Sequence, residues 1–168
     1  FFTEDLREHD AGVMWTGHQV NPLMIIPPGV SDWTTMGQCA AECTGMALPK
    51  GGVKVFSGFL HTHLLGRGIA VKHIRDGKEL PTVLKDDHYD FNYQQNRVLK
   101  EEMTILPGDT LMVECTYNSS SRQKPTFGGV TTLDEMCMAF LTYYPRQNFS
   151  RCESRPTLKS AIGAFGAT

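Results

Sequence analysis

The stretch Val55-Phe-Ser-Gly-Phe-Leu-His-Thr-His-Leu-Leu-Gly-Arg67 is an apolar run that contains two histidines one residue apart. Its aromatic and branched residues favour a β-strand over a helix. Alternate side chains of a strand share a face, so His61 and His63 are predicted to point the same way, together with Val53, Val55 and Phe59. A strand that is apolar on both faces is predicted to be central and buried. The opposite face takes Lys54, Phe56, Leu60, Thr62 and Leu64.

Two neighbouring buried imidazoles need partners for their ring nitrogens, and one metal ion would satisfy both. Histidine pairs with this spacing also arise by chance, and such rings then hydrogen-bond to backbone or water. A competing metal site is Asp87 with His88, in the polar segment Lys85–Asn92. That segment lacks strand alternation and is typical of a loop.

Composition indicates one globular domain of ordinary size. The chain has 168 residues, 40% of them hydrophobic, and a formal charge of -2 without a basic block. This composition gives no reason to expect nucleic acid or an anionic membrane as a partner. No apolar run is long enough for a transmembrane segment, and no signal peptide is recognisable. Because the chain begins at Phe1 rather than Met, we expect an excised or processed piece of a longer protein.

The cysteines and two glycosylation sequons together predict a secreted or lumenal chain. The sequons are Asn118-Ser-Ser and Asn148-Phe-Ser. Five cysteines indicate disulfides in an oxidising compartment and leave one thiol over. The spacing of Cys39 and Cys43 also suits zinc, but no second cysteine pair follows at the spacing of a zinc site, which favours disulfides. The cysteines are Cys39, Cys43, Cys115, Cys137 and Cys152.

Regular turn signals divide the chain into eight or more short strands, and no segment has a convincing amphipathic helical pattern. This pattern is typical of an all-β, antiparallel β-sandwich of the jelly-roll kind. The tail beyond Cys152 is expected to be poorly ordered at its end. Histidines 9, 18 and 73 are expected to be solvated or structural. Strands other than the His61 strand are predicted at Val13–Val20, Leu23–Ile26, Ile69–Arg75, Leu80–Leu84, Phe91–Leu99, Thr110–Tyr117 and Asp134–Tyr144.

Several motifs between about Asp10 and Cys152 occur in the same order as in a known family. Through these motifs the chain resembles the C-terminal copper domain of the ascorbate-dependent type II copper monooxygenases. Arg7–Gly12 and the Cys39/Cys43 pair are most similar to the dopamine β-monooxygenase and DBH-like branch. Tyramine β-hydroxylase and peptidylglycine α-hydroxylating monooxygenase are related members. The motifs are Leu60–Arg67, Leu106–Asp109, Glu114–Asn118, Gly128-Gly129, Asp134–Cys137 and Tyr143–Pro145.

The resemblance implies a single copper ion held by His61, His63 and Met136. A thioether is a soft ligand that suits Cu(I), although a methionine on a strand is more commonly a core residue. In the family, this copper activates dioxygen for hydroxylation of a substrate C–H bond. Electrons come from a second copper in a preceding N-terminal domain, which ascorbate reduces. Residues 1–168 are therefore expected to be one domain, the catalytic-copper half, which lacks the N-terminal copper domain and is inactive alone.

The resemblance also implies the disulfides Cys39–Cys152 and Cys115–Cys137. Cys43 is then the unpaired thiol, with a partner expected beyond Thr168.

Substrate positions depart from the peptide-amidating branch. That branch has an arginine two residues before the first histidine and a tyrosine four residues after the methionine. Here these positions are Phe59 and Phe140, which argues against a peptidylglycine substrate. With Met138 they are expected to form an apolar wall for a small aromatic or amine substrate.

Two other functions remain open from the residues. One is a non-catalytic, secreted copper-binding or interaction β-sandwich. The other is a zinc hydrolase that uses His61, His63 and either Asp87 or Asp90, which would leave Met136 without a role.

Overall fold

The computed structural model describes residues 4–165. Two short α-helices, α1 (Ala41–Ala47) and α2 (Leu158–Phe165), and a 3-10 helix (Phe91–Tyr93) accompany the strands. The strands are β1 Gly12–His18, β2 Ile25–Ile26, β3 Trp33–Cys39, β4 Val53–His61, β5 Gly66–Arg75, β6 Lys78–Glu79, β7 Leu84–Asp86, β8 Arg97–Ile105, β9 Thr110–Tyr117, β10 Thr126–Phe127, β11 Met138–Tyr144 and β12 Arg151–Ser154.

Most strands form two sheets that pack face to face. The first sheet has the order β12-β1-β11-β4-β8, and the second has the order β3-β9-β5-β6, with β7 also paired to β5. Strand pairing within these sheets is antiparallel except between β1 and β12, which run parallel. β11 and β12 flank β1 on opposite sides and run in opposite directions. The predicted all-β sandwich is confirmed.

The core lies between the sheets, and two disulfides cross it. Alternate residues of β9 and β11 are buried, as expected for strands with one face toward a core. Cys39 of β3 is bonded to Cys152 of β12, and Cys115 of β9 is bonded to Cys137, which precedes β11. Each bond therefore joins one sheet to the other, in the pairing that the resemblance implies. Cys43 of α1 is a free, half-buried thiol.

Two glycines allow the sheets to meet backbone to backbone. A Cβ on Gly37 of β3 would lie 2.2 Å from the carbonyl carbon of Gly17 in β1. A Cβ on Gly17 would lie 2.3 Å from the carbonyl oxygen of Cys137, and Gly17 has a φ of +124°. Only glycine fits such contacts without moving main-chain atoms.

A β-bulge in β4 makes one sequence prediction wrong. The pairing of β4 with β8 shifts register between Val55 and Ser57. An extra residue reverses the alternation that follows it. Val55 and Leu60 therefore belong to the core, and Phe59 lies on the outer face of the first sheet rather than beside Val55.

Some predicted boundaries also differ. The predicted strand Asp134–Tyr144 begins only at Met138, and the predicted strand Phe91–Leu99 divides into the 3-10 helix and the start of β8. The two α-helices were not predicted, since each has only seven or eight residues. Within residues 4–165, neither has the length and apolar character needed to span a membrane. The end of the tail, residues 166–168, lies outside the described residues.

Candidate metal centre

His61 and His63 lie side by side on the outer face of the first sheet. Their ring centroids are 5.0 Å apart and the rings are nearly perpendicular. His61 is the last residue of β4, and His63 lies in the turn that follows. Thr62 between them is buried, and its backbone N–H and C=O both hydrogen-bond to the Tyr89 hydroxyl. These two hydrogen bonds satisfy the backbone groups of Thr62 just beyond the end of β4.

Hydrogen bonds determine which ring nitrogen carries the proton in both histidines. Nδ1 of His61 lies 2.6 Å from Oε1 of Gln94, whose Nε2 donates to the carbonyl of Phe91 and so fixes the amide orientation. Nδ1 of His63 lies 3.0 Å from the carbonyl oxygen of Asp134. Because both oxygens only accept, each Nδ1 must donate, and in a neutral imidazole Nε2 then keeps its lone pair. Neither Nε2 is hydrogen-bonded within the described chain.

The electrostatic environment keeps His61 neutral. Burial lowers the pKa of His61, and the nearby His63 lowers it further, while the hydrogen bond with Gln94 raises it. Neutral imidazole with a free Nε2 is the form that binds a metal ion.

Met136 lies on the segment that contacts His63. The pairing of β11 with β4 sets Met138, the first residue of β11, opposite His61. The Asp134 carbonyl that accepts from His63 belongs to this segment. Met136 is half-buried, and its carbonyl accepts a hydrogen bond of 2.7 Å from the Tyr117 hydroxyl.

The residues around the histidines bear on the choice between copper and zinc. Adjacent imidazoles suit either metal ion, and a thioether ligand from Met136 would favour Cu(I). Among residues 4–165, no group of three or more His, Cys, Asp or Glu side chains could hold a metal ion. The carboxylates of the zinc alternative have other partners: Asp87 pairs with Lys85 at 2.9 Å, and Asp90 accepts from the Asn92 backbone. Asp87 and His88 are both exposed.

An aromatic row runs beside the histidines across three strands. It consists of Trp15 of β1, Phe140 of β11 and Phe59 of β4, which are Cα partners in register. The centroid distances are 5.5 Å between Trp15 and Phe140 and 5.7 Å between Phe140 and Phe59. Met138 is opposite His61 and buried. The residues expected to form an apolar wall thus share one face with His61.

Sequence reasoning missed Trp15, although the loose alternation of its strand could have placed it on an outer face. The guanidinium of Arg151 lies 5.4 Å from the Trp15 ring centroid and extends the row to β12.

Glu135 is a second residue that sequence reasoning missed. It is 1% exposed, and its carboxylate accepts from the backbone N–H of His63 at 2.8 Å and of Leu65 at 2.6 Å. Burial raises the pKa of Glu135 to about 7, although these hydrogen bonds oppose the shift. The sequence signal was weak: Glu135 directly precedes the apolar run that begins at Met136, and glutamate is rarely buried without partners.

The remaining candidate residues lie away from this centre. His18 is buried and bonded to Thr35 at 2.7 Å, and His73 is buried and bonded to Asp109 at 2.7 Å. Both are structural, as expected. The sequon residue Asn148 is exposed, and Asn118 is half-buried directly after β9.

Comparison with known proteins agrees with this geometry. Residues 9–161 match the family model described as "Copper type II ascorbate-dependent monooxygenase, C-terminal domain". DBH-like monooxygenase protein 1 from Homo sapiens is 45% identical over 169 residues, which is 99% of this chain and 28% of that protein. Dopamine beta-hydroxylase from Canis lupus familiaris is 41% identical over 153 residues, 91% of this chain and 24% of that protein. The chain thus spans less than a third of the length of these relatives, and it belongs to the copper type II, ascorbate-dependent monooxygenase family, as its C-terminal domain.

Proposed function

We propose that this chain is the copper-binding, oxygen-activating half of a secreted monooxygenase that hydroxylates a C–H bond of a small aromatic or amine substrate. The observation that carries the proposal is the pair of adjacent imidazoles, each with Nδ1 engaged and Nε2 free. His61 and His63 would hold copper through Nε2, and Met136 through its sulfur. When bound, the copper would supply the one-electron chemistry that reduces dioxygen.

Residues next to the two histidines would orient them for the copper ion. Gln94 and the Asp134 carbonyl hold the protons of both imidazoles on Nδ1, so no tautomer change would be needed before copper binds. Removing a hydrogen bond of this kind typically lowers metal affinity by about 10–100-fold.

The reducing electrons would come from outside this domain. Hydroxylation needs two electrons beyond those of the C–H bond, and one copper supplies one. We therefore propose an N-terminal copper domain of the same precursor as the electron donor and ascorbate as the reductant. The isolated domain would bind copper without efficient turnover.

The aromatic row supports a hydrophobic substrate. Phe59 and Phe140 replace the polar pair of the peptide-amidating branch, and Met138 lies beside them. Aromatic side chains would pack against an aromatic substrate at offset or edge-to-face angles. They offer no partner for a peptide carboxylate.

The two disulfides and the exposed sequon at Asn148 support a location in the secretory pathway. Glycans would be attached at Asn148 and Asn118.

Metal binding is tested by Cu(I) competition titration and X-ray absorption spectroscopy of the purified domain. We expect His61→Ala and His63→Ala each to weaken Cu(I) binding at least about tenfold. Met136→Ile should abolish the Cu–S scattering signal and weaken Cu(I) binding less. Matched controls are His88→Ala and Met46→Ile, because both residues are exposed. Unchanged Cu–S scattering in Met136→Ile would contradict the assignment.

Catalysis is tested with the two-domain precursor, ascorbate, dioxygen and phenylalkylamines, with mass spectrometry of the products. Incorporation of one oxygen atom from dioxygen into the substrate is the expected result. Copper binding without any hydroxylated product would instead favour the non-catalytic copper-binding β-sandwich.

A further inference from the structure

We infer that Glu135 is a positioning residue that fastens the turn carrying His63 to the segment carrying Met136. This inference rests on the proposed copper site, because it concerns how the two ligand-bearing segments are held at a fixed separation. Glu135 would not touch the metal ion or the substrate.

The turn after His61 has backbone donors that the strand ladder does not reach. β4 ends at His61 and β5 begins at Gly66. Within the turn, the N–H groups of His63 and Leu65 donate to the two different oxygens of the Glu135 carboxylate. Both residues are buried, so these donors would have a substantial desolvation cost without an acceptor.

The backbone of Glu135 is itself hydrogen-bonded to the segment that follows β10. Its N–H donates to the carbonyl of Phe127 at 2.9 Å, and its carbonyl accepts from the N–H of Gly129 at 3.1 Å. The backbone that carries the Glu135 side chain is therefore hydrogen-bonded on both sides, to residues 127 and 129.

Of three consecutive residues, two contact the His63 turn and the third is attached to β9. The Asp134 carbonyl accepts from the His63 ring, the Glu135 carboxylate accepts from the His63 backbone, and the Met136 carbonyl accepts from Tyr117. A thioether is a weak ligand, so its contribution depends on how well its distance to the imidazoles is fixed in advance. Glu135 is the only one of the three that acts through its side chain, which makes it testable by substitution.

Glu135→Gln keeps the shape of the side chain but replaces one acceptor oxygen with a donor NH2 group. That group would face a backbone N–H, so one end of the turn would lose its anchor. We expect the Cu–S scattering of the Cu(I)-loaded domain to weaken or disappear and Cu(I) affinity to fall about tenfold or more. The His scattering should remain.

Tyr89→Phe is the matched control. The Tyr89 hydroxyl is a buried partner of the same turn, and its hydrogen bonds go to the backbone of Thr62 rather than to the Met136 segment. If loss of any hydrogen bond at this turn has the same effect, Tyr89→Phe will reduce Cu–S scattering as much as Glu135→Gln, and the inference fails. We expect Tyr89→Phe to lower stability while Cu–S scattering is retained.

Hydrogen exchange of the wild-type domain tests the inference without a variant. Before copper is added, the amides of His63 and Leu65 should be protected as strongly as amides within β4. Rapid exchange at both positions in the metal-free protein would overturn the inference, even if Glu135→Gln does not fold. Failure of the wild-type domain to bind Cu(I) would overturn the proposed function instead, and the exchange result would still report on the Glu135 contacts.

Discussion

At the scale of residues, the sequence identified the two histidines but not the groups that orient them. The spacing of His61 and His63 correctly placed both rings on one side of the chain, since Thr62 between them faces the interior. Gln94 lies 33 residues from His61 in an irregular segment, and the Asp134 acceptor is a backbone carbonyl. Neither has a periodic or compositional signal, so both become visible only in three dimensions.

His18 provides a test of how burial affects stability. Burial lowers the pKa of His18 from 6.5 to about 4, and its Nδ1 is buried without a hydrogen-bond partner. Below pH 6.5 the unfolded chain therefore takes up a proton that the folded chain does not. The free energy of unfolding should fall as the pH decreases from 6.5 to about 4, by up to about 3 kcal/mol from this group.

Urea unfolding of the wild type and of His18→Asn at pH 7.5 and pH 4.5 measures this contribution. The stability advantage of the wild type should shrink by about 2–3 kcal/mol at the lower pH. Glu135, whose pKa is raised, makes the free energy of unfolding change with pH in the opposite direction. This contribution is common to both proteins and cancels in the difference between the wild type and His18→Asn. An equal slope in the wild type and His18→Asn would contradict the prediction.

At the scale of elements, periodicity predicted which strands exist better than which way their side chains face. The predicted strand Thr110–Tyr117 matches β9 at both ends. In β4, the bulge near Phe56 placed Val53 and Val55 on the face opposite to Phe59 and His61, although simple alternation predicted one shared face. Alternation cannot reveal an extra residue whose cause is the pairing with neighbouring strands. The same bulge brings Phe59 beside Phe140 and creates the aromatic row.

The central member of that row is the best position to test substrate contact. Phe140→Ala in the two-domain protein should raise KM for an aromatic substrate roughly three- to tenfold with little change in kcat, because it removes an aromatic contact made in both the ground and transition states. Phe127→Ala is the control, since Phe127 lies on β10 and is 42% exposed. Steady-state kinetics with unchanged KM for Phe140→Ala would count against a substrate role for this row.

At the scale of the whole molecule, strand count and turn signals were sufficient to predict a β-sandwich but not to predict its edge strands. β3 and β12 were not predicted, since Trp33–Cys39 mixes apolar with polar residues and Arg151–Ser154 is short and charged. Pairing with β9 and β1 makes them strands. Tertiary contacts thus override weak local preference at this edge of the sandwich, where the disulfide Cys39–Cys152 joins the two strands.

The two disulfides should contribute differently to stability and to metal binding. They join residues 113 and 22 positions apart. In a Cys43→Ser background, replacing both cysteines of a pair with alanine should lower stability by about 5 kcal/mol for Cys39–Cys152 and about 3 kcal/mol for Cys115–Cys137.

Thermal unfolding and Cu(I) titration of the two double variants separate these roles. Only loss of Cys115–Cys137 should weaken Cu(I) binding in the folded state, because Cys137 directly follows Met136. Equal weakening by both double variants would mean that overall stability, rather than the local attachment, determines affinity.

The contact between Gly17 and Gly37 has a mechanical consequence. Where side chains separate two layers, rotamer changes can absorb small displacements, but here the touching atoms belong to the main chain and have no such freedom. The Gly17 strand also touches Cys137, one residue beyond Met136. Any separation of the two sheets at this point would therefore have to move the main chain of Gly17, and with it the backbone of Cys137 that Gly17 contacts.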